Sequence, residues 1–356
     1  MKIKTDLGIS VFTAAIALIM GSSIDARSWD QLLPFKYNSH SIITTDATLA
    51  ANRTLRATRD ADLAVWTHGL YWRLTPRLLP SLAPMGRSEL NGGFYPELHL
   101  DDGTLYTLNR LEEGNTVIDK PKLFSQLHSA VLFDNYCRFF SENMGGMDAA
   151  TCKNLPNIGR GQAPHFLRDF RETGGKPELA PAAESCARSV KLIKSLTREA
   201  QSHWAKARAE GDKEKAMREM ELMYMFNGIA VHAIEDSFSP AHTQRSASNP
   251  RVIEDLCYYY DNSILPPSEA KACAHAIGDG KEPRDSVHFT GNSQYPSNAI
   301  PAALAVKAAQ AYLTGFANTM LDDTKGWRSD VEPFLNEFLV TGSQEGMGYF
   351  DCSTLK

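Results

Sequence analysis

The sequence has no run of basic residues, no Cys-x-x-Cys pair, no internal repeat and no series of alternating strands. With 37 Lys and Arg interspersed among 42 Asp and Glu, for a net charge of −5, it lacks the electrostatic footprint of a protein that grips duplex nucleic acid. Its six cysteines stand singly, which argues against a thiolate metal site and for disulfides formed in an oxidising compartment. Their pairing is open at this level. Two local pairs, Cys137–Cys152 and Cys257–Cys273, would leave Cys186–Cys352. A hydrophobic content of 43% excludes wholesale disorder and suffices for a sizeable core.

What is present starts with the N-terminus. Lys2 and Lys4 precede a largely apolar run, Gly8 to Gly21, too short to span a bilayer stably. Ala26-Arg27-Ser28 then places small side chains at the minus-three and minus-one positions of a cleavage site. Residues 1–28 therefore read as a signal peptide, and cleavage would make Trp29 the first residue of a secreted or periplasmic chain with no transmembrane segment. Cleavage after Ala26 and a retained anchor are the alternatives.

Helical periodicity dominates the rest. Ala, Leu and Arg are frequent over 46–79, and 123–143 is helix-like. Apolar residues recur at three- and four-residue spacing over 180–209 and 213–238, and two more helices are expected at 299–321 and 331–339. In 213–238, Met217, Met220, Leu222, Met223, Phe226, Ile229, Ala230 and Val231 form a face that broadens toward the C-terminal end, as in a central buried helix. Pro, Gly and alternating polar residues over 80–119 suggest an irregular insertion or small hairpin. Residues 144–164 read as a loop, and 249–298 is broken by Pro266, Pro267, Gly278 and Gly280. The expectation is an all-α, single multi-helix domain over 29–356 with long loops and an insertion.

The chemistry concentrates in His232-Ala-Ile-Glu-Asp236-Ser-Phe-Ser-Pro240-Ala-His242. His232 and Asp236 are four apart, so on a helix they share a face and together can grip one zinc ion. Pro240 disfavours helix at and before itself, so His242 leaves the helix axis and is free to face another metal. The plainer reading makes His232 a hydrogen-bonded core residue and Glu235-Asp236 a solvated acidic end.

This segment resembles the signature of bacterial zinc-dependent phospholipases C and the related S1/P1-type nucleases. The signature runs His, three residues, Asp, five residues, His, with Pro two before the last His, and the chain keeps all four positions. It departs at Ala233, where Tyr is usual, and at Glu235, where Gly or Thr is usual. The family also begins, after signal removal, with a Trp whose α-amine and carbonyl bind zinc, and Trp29 matches. His40, in Asn38-Ser39-His40, resembles the next ligand, and His165-Phe166 resembles a later His-Phe pair, although Leu167-Arg168-Asp169 replaces the usual Tyr-Asp-Pro. Asp148 is the candidate for an Asp expected ahead of that pair, with Asp101 and Asp102 competing. His275 and Asp279, four apart, match a closing His/acid pair, with His288 as fallback.

The resemblance spans scattered blocks over about residues 29 to 325 and implies three Zn²⁺ ions. Asp148, His165, His232 and Asp236 would hold the first. Trp29 and His40 would hold a second, bridged to the first by Asp236, and His242, His275 and Asp279 a third. Zinc-activated water would attack a phosphodiester in line, with Asp148 and Asp236 closest to the reaction. The implied substrate is a phosphatidylcholine-type phospholipid at a membrane surface, cleaved by a phospholipase C. A single-strand nuclease is the alternative, and a non-catalytic zinc- or lipid-binding module the second. Aromatic residues such as Phe94, Tyr95, Tyr258, Tyr259 and Tyr260 suit a choline face or a stacked base equally, with plain core as the commoner fate of such residues. His68, His99, His128 and His203 are left structural roles, His203 on the surface and His128 in the core.

Overall fold

The computed structural model describes residues 39–59, 66, 111, 114–115, 117–119, 130–144, 152, 161–173, 176–239, 242–260, 274–276, 296–321, 331–339 and 348–355. Helices dominate them: α1 (Ser39–Thr58), α2 (Ala130–Met144), α3 (Ala182–Ala209), α4 (Lys213–Asp236), α5 (Pro296–Leu321) and α6 (Glu332–Phe338), with a 3-10 turn at Ala163–His165. This agrees with the expected helical class. No helix among the described residues is long and apolar enough to cross a membrane.

Three two-stranded ribbons were not anticipated. β1 (Phe170–Thr173) and β2 (Lys176–Leu179) form an antiparallel hairpin, and β3 (Thr243–Arg245) pairs antiparallel with β4 (Ile253–Leu256) across a bulge at Gln244/Arg245. β5 (Tyr258–Tyr260) pairs parallel with β6 (Ala274–Ala276), placing Tyr259 opposite His275. Strands of three or four residues are too short to display an alternating pattern, so the sequence leaves no trace of them.

α4 is the axis of the fold. The Asp212 carboxylate accepts the Lys215 backbone N–H at 3.0 Å and caps its start, and Glu214 lies favourably in the first turn. From Leu222 to Ser239 every residue is buried, so the broad apolar face does mark a central helix. α3 packs along it, and α5 packs against both α4 and α1. A buried polar chain joins three helices: the Tyr312 hydroxyl donates to Asn227 Oδ1 at 2.9 Å and lies 3.1 Å from the Thr197 hydroxyl. The helix ends at Asp236, earlier than expected, and the turn beyond it is closed by His242 N–H on the Ser239 carbonyl.

Residues 111–119 close the insertion expected over 80–119, yet every described position there is helical, and Leu111, Val117 and Ile118 are in the core. Residues 80–110 lie outside the described residues. The segment crosses α4 backbone to backbone. A Cβ on Gly228 would sit 2.2 Å from the Leu111 carbonyl oxygen, and one on Gly114 would sit 2.1 Å from that of Met225. Only glycine permits such an approach, and it sets Asn115 and Asp119 against the C-terminal half of α4.

Disulfides and hydrogen bonds secure the other side. Cys137 pairs with Cys152 and Cys186 with Cys352, as expected. Cys257 is also disulfide-bonded, while Cys273, its expected partner, lies outside the described residues. The Arg245 guanidinium lies 3.8 Å over the Phe238 ring and donates to the carbonyls of Ser237 (2.7 Å), Pro250 (2.6 Å) and Tyr349 (2.8 Å). It thereby fastens the end of α4 to the C-terminal residues.

Substituting Gly228→Ala tests the close crossing. A helix gains about 1 kcal/mol when Gly becomes Ala, but forcing a methyl into a backbone carbonyl costs about 1–3 kcal/mol or more. We expect net destabilisation in denaturant unfolding; a stabilised variant would mean that the crossing is looser than described.

Candidate metal centre

Five of the nine residues expected at the site are described with their side chains, and all five are buried: His40, His165, His232, Asp236 and His242. They converge on one point. α4 supplies His232 and Asp236 from adjacent turns, with Nε2 and Oδ2 3.0 Å apart. His165 arrives on the 3-10 turn, its Nδ1 3.1 Å from Asp236 Oδ2 and 3.2 Å from His232 Nε2. α1 supplies His40, whose Nε2 is 3.3 Å from the other oxygen of Asp236, Oδ1.

Each ligand is held by its own local structure. The His165 turn is closed by Asp169, which accepts the Gln162 N–H at 3.0 Å and pairs with Arg188; Phe166 adopts a left-handed conformation (φ 54°) and stacks on Phe350. Burial raises the Asp169 pKa to about 6, with Arg188 opposing the shift. The Leu167-Arg168-Asp169 stretch thus has a structural purpose. His242 donates from Nδ1 to the His165 carbonyl, so Nε2 is the lone-pair nitrogen whenever the ring is neutral, and its own carbonyl accepts the Cys257 N–H at 2.8 Å. The chain then enters β5, whose partner strand β6 contains His275. Only the backbone of His275 is described, and Trp29, Asp148 and Asp279 lie outside the described residues.

Three residues at the site were not foreseen. Asp119 places Oδ1 3.6 Å from His165 Nδ1 and 3.7 Å from His232 Nε2. It lies far from His165 in sequence, inside a stretch read as insertion, with no local motif to announce it. Asn115, four residues earlier, contacts His232 Nδ1 through Oδ1 at 3.0 Å. Glu235 is fully buried, where one reading of the sequence made it a solvated acidic end, and it lies 2.5 Å from His40 Nδ1. His203 also departs from expectation. It is buried rather than on the surface, stacked on Phe226 and 2.6 Å from Glu219, because the seam between α3 and α4 supplies both an aromatic face and a carboxylate.

The donor set fits a cation. Asp119 Oδ1, His165 Nδ1, His232 Nε2 and Asp236 Oδ2 lie 3.0–3.7 Å apart across the five separations described. Four ligands about 2.0–2.1 Å from a tetrahedral ion would be spaced by roughly 3.3 Å. His40, His232 and Asp236 form a second convergent group, in which His40 Nε2 faces the other Asp236 oxygen. Among the described residues, Asp119 Oδ2 is buried without a hydrogen-bond donor, a costly arrangement that a cation relieves.

The electrostatics agree. Burial would raise the Asp236 pKa, but the charges of His242 and His232, with hydrogen bonds from His165 and His232, hold it well below the usual carboxylate range. Burial likewise lowers the His40 pKa, yet hydrogen bonds and charges from Asp236 and Glu235 outweigh it and raise the value to about 10. That rise reports a strongly negative potential at this point. No protein-family model, curated protein or solved structure matches the chain, so the site must be read from its own residues.

A proton held more tightly in the folded state stabilises that state at low pH. For the metal-free protein, the His40 contribution is complete below its ordinary pKa of 6.5 and is lost as pH rises toward about 10. The depressed pKa of Asp236 acts oppositely, in acid. We expect stability of the metal-free protein, measured by denaturant unfolding, to fall between those pH values and the fall to shrink in His40→Asn. An unchanged slope in the variant would contradict the assignment.

Proposed function

We propose that the chain is a secreted zinc-dependent phosphodiester hydrolase, with phospholipase C as the favoured activity. The observation that carries this reading is the convergence of Asp119, His165, His232 and Asp236 at tetrahedral spacing, with His40 across the shared Asp236 carboxylate. Imidazole and carboxylate ligands suit zinc, and the absence of thiolates from the cluster fits a hydrolytic rather than a purely structural site. Zinc held by these residues would lower the pKa of a bound water and offset the negative charge of a phosphodiester.

The chain's own groups do the rest. Asp119, His165, His232 and Asp236 would hold one ion; His40 and Asp236 Oδ1 would hold its neighbour, completed by the amine and carbonyl of Trp29. His242 engages the His165 carbonyl through Nδ1, so Nε2 is the nitrogen that would serve a third ion with His275 and Asp279. Asp119, with Oδ1 toward the ligand nitrogens and a buried second oxygen, would serve in the role expected of Asp148 and orient a nucleophilic water. Disulfides support an oxidising location outside the cytoplasm. Phospholipid is favoured over single-stranded nucleic acid by the Asn38-Ser39-His40 resemblance and by the lack of basic runs.

The test is metal analysis of the secreted protein, followed by hydrolysis of phosphatidylcholine and of single-stranded DNA with and without a chelator. Chelator-sensitive release of phosphocholine with DNA intact is expected; DNA cleavage alone would replace the lipase with a nuclease, and a protein without zinc would overturn the whole reading. Asp236→Asn should abolish hydrolysis. Asp119→Asn should lower it at least about 100-fold, on the scale of losing a principal catalytic interaction, and reduce zinc content; Asp119→Asn with full activity would remove Asp119 from the site.

A further inference from the structure

Glu235 occupies a position where the resembled signature has a small residue, and it is fully buried next to Asp236. Its carboxylate accepts from three donors: His40 Nδ1 at 2.5 Å, the Thr44 hydroxyl at 2.8 Å and Asn115 Nδ2 at 2.9 Å. Asn115 Nδ2 also donates to Thr44 Oγ1 at 3.1 Å, while Asn115 Oδ1 faces His232 Nδ1 at 3.0 Å. These contacts leave little freedom in where the protons lie. An ionised carboxylate only accepts, so the imidazole of His40 must present Nδ1–H to it. Asn115 must likewise present its NH₂ to Glu235, which turns its carbonyl toward His232. The carbonyl in turn requires Nδ1–H on His232.

We propose that Glu235 is a positioning residue that fixes the tautomers of two metal-binding histidines at once, His40 directly and His232 through the Asn115 amide. In the neutral state a metal ligand must have, both imidazoles are thereby set with the lone pair on Nε2, the atom that faces Asp236 in each case, at 3.3 Å from His40 and 3.0 Å from His232. Metal-ligating histidines depend on such outer partners for orientation and basicity. Here one carboxylate serves both groups, and the His40 and His232 rings stack with centroids 4.5 Å apart, so their orientations are set together. The inference rests on the metal reading of the site and adds a residue to it.

The test uses Glu235→Gln in the full secreted chain. Its side chain keeps the shape but can donate as well as accept, so it no longer dictates the direction of the Asn115 amide. Zinc affinity, measured by competition with a chelator, should fall roughly 10–100-fold. Nitrogen NMR of the zinc-loaded wild type should show both His40 and His232 protonated at Nδ1. Asn115→Ala, which cuts only one arm, should disturb the His232 signal and leave that of His40. It also serves if Glu235→Gln does not fold. Wild-type protein that takes up no zinc overturns the proposed function and this inference together. If wild type binds zinc but Glu235→Gln matches its affinity within about threefold, well short of the usual outer-partner effect, only the role of Glu235 falls. Asn115→Ala with both histidine signals unchanged has the same consequence.

Discussion

The carboxylate of Asp236 uses its two oxygens toward two different sets of partners, and the rest of the structure is arranged to make that possible. Oδ2 meets His165 and His232, Oδ1 meets His40, and the ring of His242 stands 3.6 Å from Oδ2. Those four histidines come from α1, the 3-10 turn, α4 and the turn beyond it. A fully buried carboxylate is expensive unless it is surrounded by donors and positive charge. The expense ties elements distant in sequence to one spot, because withdrawing any of them leaves charge exposed to a low-dielectric interior.

The apolar framework around this point is what holds the histidines still. α4 is enclosed for its last four turns, and a helix so enclosed cannot rotate to move His232 relative to Asp236 without disturbing α3 and α5 together. Arg245 and the Cys186–Cys352 disulfide hold the C-terminal residues beside the His165 turn, where Phe350 stacks on Phe166. Packing and polar chemistry thus meet at consecutive residues, His165 and Phe166.

What could be read in advance was whatever depended on short-range spacing. The His232–Asp236 interval, the broad apolar face of 213–238 and the helices near 182–209 and 296–321 are local patterns, and they reappear in the fold. Asp119 was invisible because its approach depends on a crossing between segments, not on its neighbours in sequence. The two glycines that permit the crossing, Gly114 and Gly228, were the available signal: a glycine one turn before a suspected ligand, inside a buried helix, marks a close backbone approach. The role of Glu235 was hidden for a related reason. Sequence shows a charge but not the three donors gathered from two other segments to receive it. The short ribbons escaped because three residues cannot establish a period.

The glycine crossing also bears on how such a chain can vary. Since 111–119 is registered against α4 by direct backbone contact, the position of Asp119 does not depend on the path the chain takes between α1 and Leu111. Loop-closure entropy grows only slowly with length. Trp66 is itself anchored in the core, its indole N–H on the Leu313 carbonyl, so a change of length at little thermodynamic expense would fall between Trp66 and Leu111. Diversification would then be confined to the stretch between Trp66 and Leu111, with the buried indole and the glycine crossing as its two limits.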